Sequence, residues 1–138
     1  MKLEIAINKA YKELKKNNIK SALLDSELLL SKAINKDRDF IILNSNQDIN
    51  EKDYCYFQKL IYERSKGKPI AYLTGKKFFW KHEFEINDKV LIPRPDTEII
   101  IEQVLNLYKN KNNIIFLDIG FGSGCILLSI LKERKDFR

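Results

Sequence analysis

The densest chemistry in this 138-residue sequence lies near its end, where Ile114-Ile115-Phe116-Leu117 runs into Asp118-Ile119-Gly120-Phe121-Gly122-Ser123-Gly124. Four consecutive apolar residues predict a strand buried on both faces of a parallel sheet. Helical spacing then resumes from Cys125 through Ile126, Ser129 and Ile130 to Lys135. Strand, glycine loop and helix make half of a nucleotide-binding unit. Gly120, Gly122 and Gly124 remove side chains where the chain turns sharply, so a ligand can approach the backbone and the N–H groups that open the helix. Spacing separates the ligand classes. No lysine follows the glycines, which excludes a Walker phosphate loop. Counted from Gly120, the sixth position of a dinucleotide fingerprint is Cys125 and the third glycine comes one residue early, so a nicotinamide-dependent oxidoreductase fits poorly. Asp118, two residues before the first glycine, instead suits a cationic nucleoside such as S-adenosylmethionine, whose ammonium and sulfonium a carboxylate at the strand tip attracts. The competing readings are a ligand-free turn for the glycines and a loop-bracing hydrogen-bond acceptor for Asp118.

Other candidates carry less. Arg94 stands between Pro93 and Pro95 on a stiff backbone, and is open to a site role or to a salt bridge with Asp96 or Glu98. His82, the only histidine, falls at a hairpin tip between Lys81 and Glu83 with no nameable partner, so a solvent-exposed turn residue is expected. Phe78, Phe79 and Trp80 offer stacking surface, but packing between two domains is the commoner use of such aromatics. Cys55 and Cys125 lack metal or disulfide spacing and read as buried thiols in a reducing cytoplasm. No metal site is indicated.

The elements that must position these residues follow from periodicity. Leu3, Ile7, Ala10, Tyr11 and Leu14 form the stripe of an amphipathic helix that stops at Asn17-Asn18. Ser21 is a candidate N-cap for a second helix lined by Leu24, Leu28 and Ala33 and widened by Leu23, Leu29, Leu30 and Ile34. Asp37 can cap a short helix through Leu43, and Asn50 with Asp53 resembles a capping box for a fourth, lined by Tyr54, Phe57, Leu60 and Ile61 and ended by Gly67. Phe84 and Ile86 alternate with Glu83, Glu85 and Asn87, which with Phe78-Phe79-Trp80 predicts a β-hairpin. Val90-Leu91-Ile92 is a short extended piece, and Asp96 is a candidate cap for a helix through Tyr108. The sequence thus divides into a helical module at 1–73, a hairpin and proline linker at 74–95, and the start of an α/β unit at 96–138.

With 44% hydrophobic and 32% charged residues the chain can bury a core. No apolar run approaches the roughly 18 residues of a spanning helix, and the charge-interrupted Met1-Lys2-Leu3-Glu4-Ile5 lacks a signal-peptide core. A cytoplasmic location with no membrane partner is expected. The net charge is +6, and residues 1–76 hold 15 Lys and Arg against 10 Asp and Glu, while 77–138 hold 10 against 9. With 20 Lys against 5 Arg, and no arginine run or RNP-like pattern, compositional bias competes with a functional basic face, and direct nucleic-acid reading is unsupported.

Four ordered blocks carry a more specific signal: Gly67-Lys68-Pro69-Ile70-Ala71-Tyr72-Leu73-Thr74-Gly75, Phe78-Phe79-Trp80, Val90-Leu91-Ile92-Pro93-Arg94-Pro95-Asp96-Thr97-Glu98, and Leu117 to Gly124. Together they resemble the bacterial peptide chain release factor glutamine methyltransferases, HemK or PrmC, in their N-terminal portion, and Leu24-Asp25-Ser26-Glu27-Leu28-Leu29-Leu30 is similar to that family's helical domain. The resemblance implies an α+β chain: an N-terminal helical bundle for substrate recognition, a β-hairpin linker, and the start of a Rossmann-like seven-stranded methyltransferase domain. It implies S-adenosylmethionine as cofactor, a release factor as partner, and methylation of the glutamine amide nitrogen in a Gly-Gly-Gln loop. By that similarity Asp118, Gly120, Phe121, Gly122, Ser123 and Gly124 hold the cofactor and Arg94 edges the pocket. Phe121 stands where the family usually has a small threonine, so it would either narrow the pocket or turn away. The family's catalytic Asn-Pro-Pro-Tyr segment has no counterpart here, because the prolines are only at 69, 93 and 95. No catalytic residue is therefore expected within the chain, which resembles the front half of an enzyme. The alternative is a non-catalytic module that binds a release factor.

Overall fold

In the computed structural model, which describes residues 1–138, helix α1 (Leu3–Lys16) buries Leu3, Ala6, Ala10 and Leu14 as one stripe. It stops where Asn18 takes a left-handed φ of 60°, a conformation asparagine tolerates better than most residues. Helix α2 (Ala22–Ile34) buries Leu29, Leu30 and Ala33 of the expected face together with Asp25 and Ser26, but Leu23 and Leu24, also expected inward, are exposed. There Asp25 accepts a 2.7 Å hydrogen bond from Arg64 Nε, while Leu23 and Leu24 fall on the opposite side of the helix. Ser21 holds the N-cap position but donates its hydroxyl to Asp25 at 3.0 Å instead of capping the helix.

Local capping sets the next two helices. Asp37 accepts from the Phe40 N–H at 2.8 Å to open α3 (Arg38–Leu43), and Asn50 accepts from the Asp53 N–H at 2.8 Å to open α4 (Glu51–Ser65). Phe57, Leu60 and Ile61 of α4 join the α1 stripe, Leu29, Leu30, Ile41 and Leu73 in one core. Cys55, expected to be buried, is exposed, because the core-facing side of α4 is taken by Phe57, Leu60 and Ile61. Gly67, at φ 92°, follows α4 and leads to the short α5 (Ile70–Thr74). The chain clusters into two units, Met1–Thr74, built of these five helices, and Gly75–Arg138.

The second unit holds the only regular sheet, an antiparallel pair of β1 (Lys76–Phe79) and β2 (His82–Glu85) with Phe79 opposite His82. Phe79 and Phe84 are buried and meet edge to face at 6.2 Å. Asp96, expected as a helix cap, lies inside a 3-10 turn (Pro95–Thr97), so α6 (Glu98–Leu107) begins after Thr97. Helix α7 spans Cys125–Glu133. No helix is long and apolar enough to cross a membrane.

The predicted doubly buried strand is extended without forming a regular strand, and Ile115 and Leu117 are 80% and 82% exposed. Its one backbone neighbour is Arg138, whose N–H donates to the Ile114 carbonyl at 2.9 Å and whose carbonyl accepts from Phe116 at 3.0 Å. That is the bonding pattern of a parallel pair. Ile114, Phe116 and Asp118 form the half-buried side, and no second neighbour pairs with this segment.

Arg134 organises the chain end. It donates to Asp136 at 2.9 Å and to the carbonyls of Tyr108 and Lys111, and its guanidinium lies 4.2 Å from the centre of the Phe137 ring. Arg134, and to a lesser degree the Asn113 N–H, hold the Asp136 carboxyl down at about 2. A folded-state value below the ordinary one means that this stabilisation is present above about pH 4 and is lost as the pH falls through 2. Acid titration followed by the exchange of the Phe116 and Arg138 amides should show their protection lost in that window, and Asp136→Asn should lack this acid-dependent step.

Candidate functional site

Three glycines give the segment after Asp118 its shape, with φ of 81° at Gly120, 55° at Gly122 and 73° at Gly124. Gly124 is the N-cap of α7, and a Cβ there would sit 3.3 Å from Leu128 Cδ1 in a backbone conformation that L side chains avoid. Its N–H donates to the Phe121 carbonyl at 2.7 Å, closing the turn, and its carbonyl accepts from Leu128 at 2.9 Å to begin the helix. The remaining first-turn N–H groups of α7 have no intrahelical acceptor. Phe121 is 63% exposed and its ring edge comes within 4.0 Å of the Gly124 Cβ position, so the ring flanks the loop.

Asp118 Oδ2 is buried and has no hydrogen-bond partner. A buried carboxylate oxygen left unpaired costs free energy, so the loop-bracing reading of this oxygen finds no support. It is the one charged side chain from 118 to 124, and no cationic residue within the loop would repel a positively charged ligand. Arg94 is exposed and forms no ion pair with Asp96 or Glu98. Glu98 instead accepts from the Trp80 backbone N–H at 2.8 Å. No hydrogen bond joins Arg94 to the glycine loop.

A second cluster escaped the sequence. At the far end of α7, Glu133 accepts from the Trp80 indole at 2.9 Å and pairs with Lys81 at 2.7 Å. Trp80 has a φ of 55°, which is unusual for a bulky residue. Its two N–H groups are held by carboxylates on two helices, which fixes that conformation. His82, expected in solvent, has its Nε2 buried without a partner, since β2 packs this edge of the hairpin inward. The signal that was available is Glu133 itself. A carboxylate in the last turn of a helix opposes the dipole and needs a cation nearby.

Lys81 first, and the Trp80 indole second, hold the Glu133 carboxyl below its ordinary value. The stabilisation it provides is therefore present above the ordinary glutamate range and lost as the pH falls through the lowered value. Glu133→Ala should shift the emission of Trp80, the only tryptophan, to the red at neutral pH, and acid should produce the same shift in the unaltered chain. An emission maximum insensitive to both would show that Glu133 does not hold the indole.

The family model described as PrmC N-terminal domain matches residues 6–75, half of the chain. A release factor glutamine methyltransferase of Leptospira interrogans is 42% identical over 132 residues, covering 95% of this chain and 46% of that protein. One of Clostridium acetobutylicum is 42% identical over 136 residues, covering 99% of this chain and 48% of that protein. A bifunctional methyltransferase of Rickettsia typhi is 34% identical over 145 residues, covering 92% of this chain and 28% of that protein. The chain spans about half the length of the release factor glutamine methyltransferases it matches.

Proposed function

This chain belongs to the PrmC N-terminal domain family, and from that membership we propose that it supplies the front part of a release factor glutamine methyltransferase. Residues 1–73 receive the release factor, 74–95 form the hairpin and proline connection, and 96–138 begin a seven-stranded Rossmann-like domain that uses S-adenosylmethionine. The observation that carries the cofactor assignment is the buried, unpartnered Asp118 Oδ2 at the entrance to a loop of three left-handed glycines.

S-adenosylmethionine, when bound, supplies an electrophilic methyl group on a sulfonium. Asp118 attracts its cationic methionine end, and Gly120, Gly122 and Gly124 let it lie close to the backbone. Ser123 adds a hydroxyl, Phe121 flanks the seat, and Arg94 stands at the pocket edge. An amide nitrogen is a poor nucleophile, so transfer depends on holding it in line with the methyl carbon. The groups that would orient it, an Asn-Pro-Pro-Tyr segment by family resemblance, are not among these 138 residues. This chain's share is binding.

Calorimetric titration of the full chain tests the proposal. Trp80 is a poor reporter, because its indole is tied to the end of α7 opposite the loop. Saturable binding of S-adenosylmethionine but not NAD, together with binding of a release factor, is the expected result. Binding of NAD in its place would end the methyltransferase reading. A release factor bound with no affinity for S-adenosylmethionine would favour the non-catalytic binding module.

A further inference from the structure

Phe121 is the one aromatic side chain of the glycine loop, and most of its surface is open to solvent. Its position is set by the backbone. It stands between two left-handed glycines, Gly120 and Gly122, and its carbonyl accepts from the Gly124 N–H at 2.7 Å. The ring edge approaches the start of α7: Cδ2 lies 4.0 Å from the place a Gly124 Cβ would take, which Leu128 Cδ1 approaches to 3.3 Å from the helix. No other ring and no lysine or arginine of the chain stacks on it. The loop carries charge of both signs. The first-turn N–H groups of α7 place partial positive charge at this end of the helix, and Asp118 is the only charged side chain from 118 to 124. A ligand that rests its anionic end on the helix start therefore finds two negative partners in the loop for its cationic centres, the Asp118 carboxylate and the negative face of the Phe121 ring.

We propose that Phe121 sets the charge preference of the seat: its ring face receives the sulfonium of S-adenosylmethionine in a cation–π contact, Asp118 receives the ammonium, and the loop thereby prefers S-adenosylmethionine to S-adenosylhomocysteine. The inference rests on the cofactor reading above and adds which residue discriminates and by what chemistry. An aromatic face attracts an onium group and gives no such preference to a neutral one. The two ligands share the adenosine, the ammonium and the carboxylate, and differ in that the sulfur of S-adenosylhomocysteine is an uncharged thioether. A ring that served only as packing surface would favour both alike.

The test is calorimetric titration of the full chain with each ligand in turn. The unaltered chain should bind S-adenosylmethionine more tightly than S-adenosylhomocysteine. Phe121→Leu keeps apolar bulk and removes the aromatic face, and should cut that preference by about 2- to 10-fold. Phe121→Tyr keeps a ring and should keep the preference. At a side chain this exposed both variants should melt with the unaltered chain, as surface substitutions ordinarily do. Binding of S-adenosylmethionine with no preference in the unaltered chain, or a preference that Phe121→Leu leaves in place, overturns this inference and leaves the cofactor reading intact. An unaltered chain that binds neither ligand overturns both.

Discussion

Asp118→Asn is expected to weaken S-adenosylmethionine binding by about 10- to 100-fold, because a hydrogen bond to a charged group is worth roughly 1.5–3 kcal/mol and each ~1.4 kcal/mol is a factor of ten. The same replacement should leave the melting temperature unchanged or slightly raised. Oδ2 has no partner to lose, and an amide is easier to bury than a carboxylate. That pairing of outcomes distinguishes a ligand-directed acid from a structural one. A bracing aspartate would show the reverse, with stability falling and affinity following only as the loop loosens. Calorimetry and thermal melts on the same samples decide between them.

Arg64→Leu should destabilise the helical unit by about 3–5 kcal/mol, the usual cost of leaving a buried charge without its partner. Asp25 is 2% exposed, and the 2.7 Å bond from Arg64 Nε is its ionic support, with Ser21 adding a neutral hydroxyl at 3.0 Å. Domain stabilities are roughly 5–15 kcal/mol, so the loss is a large part of the whole. The double replacement Asp25→Leu, Arg64→Leu should recover much of it, since a buried pair often contributes little beyond its own desolvation. Urea unfolding followed by helical circular dichroism measures both. A single variant within about 0.5 kcal/mol of the unaltered chain, the range of ordinary surface substitutions, would mean that the pair does not organise α2.

How far such contacts can be read from the sequence depends on the distance along the chain over which they act. Asp37 and Asn50 cap helices through bonds to residues three positions on, so their type and spacing were sufficient. On α2 the burial of Leu29, Leu30 and Ala33 was legible, but the burial of Asp25 was not, because its partner Arg64 lies 39 positions away. The Trp80 to Glu133 bond spans 53 positions and was missed for the same reason. Ile114 to Leu117 showed its extended backbone in its apolar run. Whether such a run is buried on both faces depends on neighbouring strands and helices, which its own residue types do not encode. At the glycine loop the residue types and their spacing were legible, but the unpartnered state of Asp118 Oδ2 is a property of the folded chain alone.

The proposed seat for S-adenosylmethionine at residues 118–124 can be observed residue by residue by following the backbone amide resonances of the isotopically labelled full chain during titration. Saturable shifts are expected at Gly120, Gly122, Ser123 and Gly124 with S-adenosylmethionine, none with NAD, and their loss in Asp118→Asn. Shifts produced equally by NAD, or confined to residues outside 118–124, would contradict it.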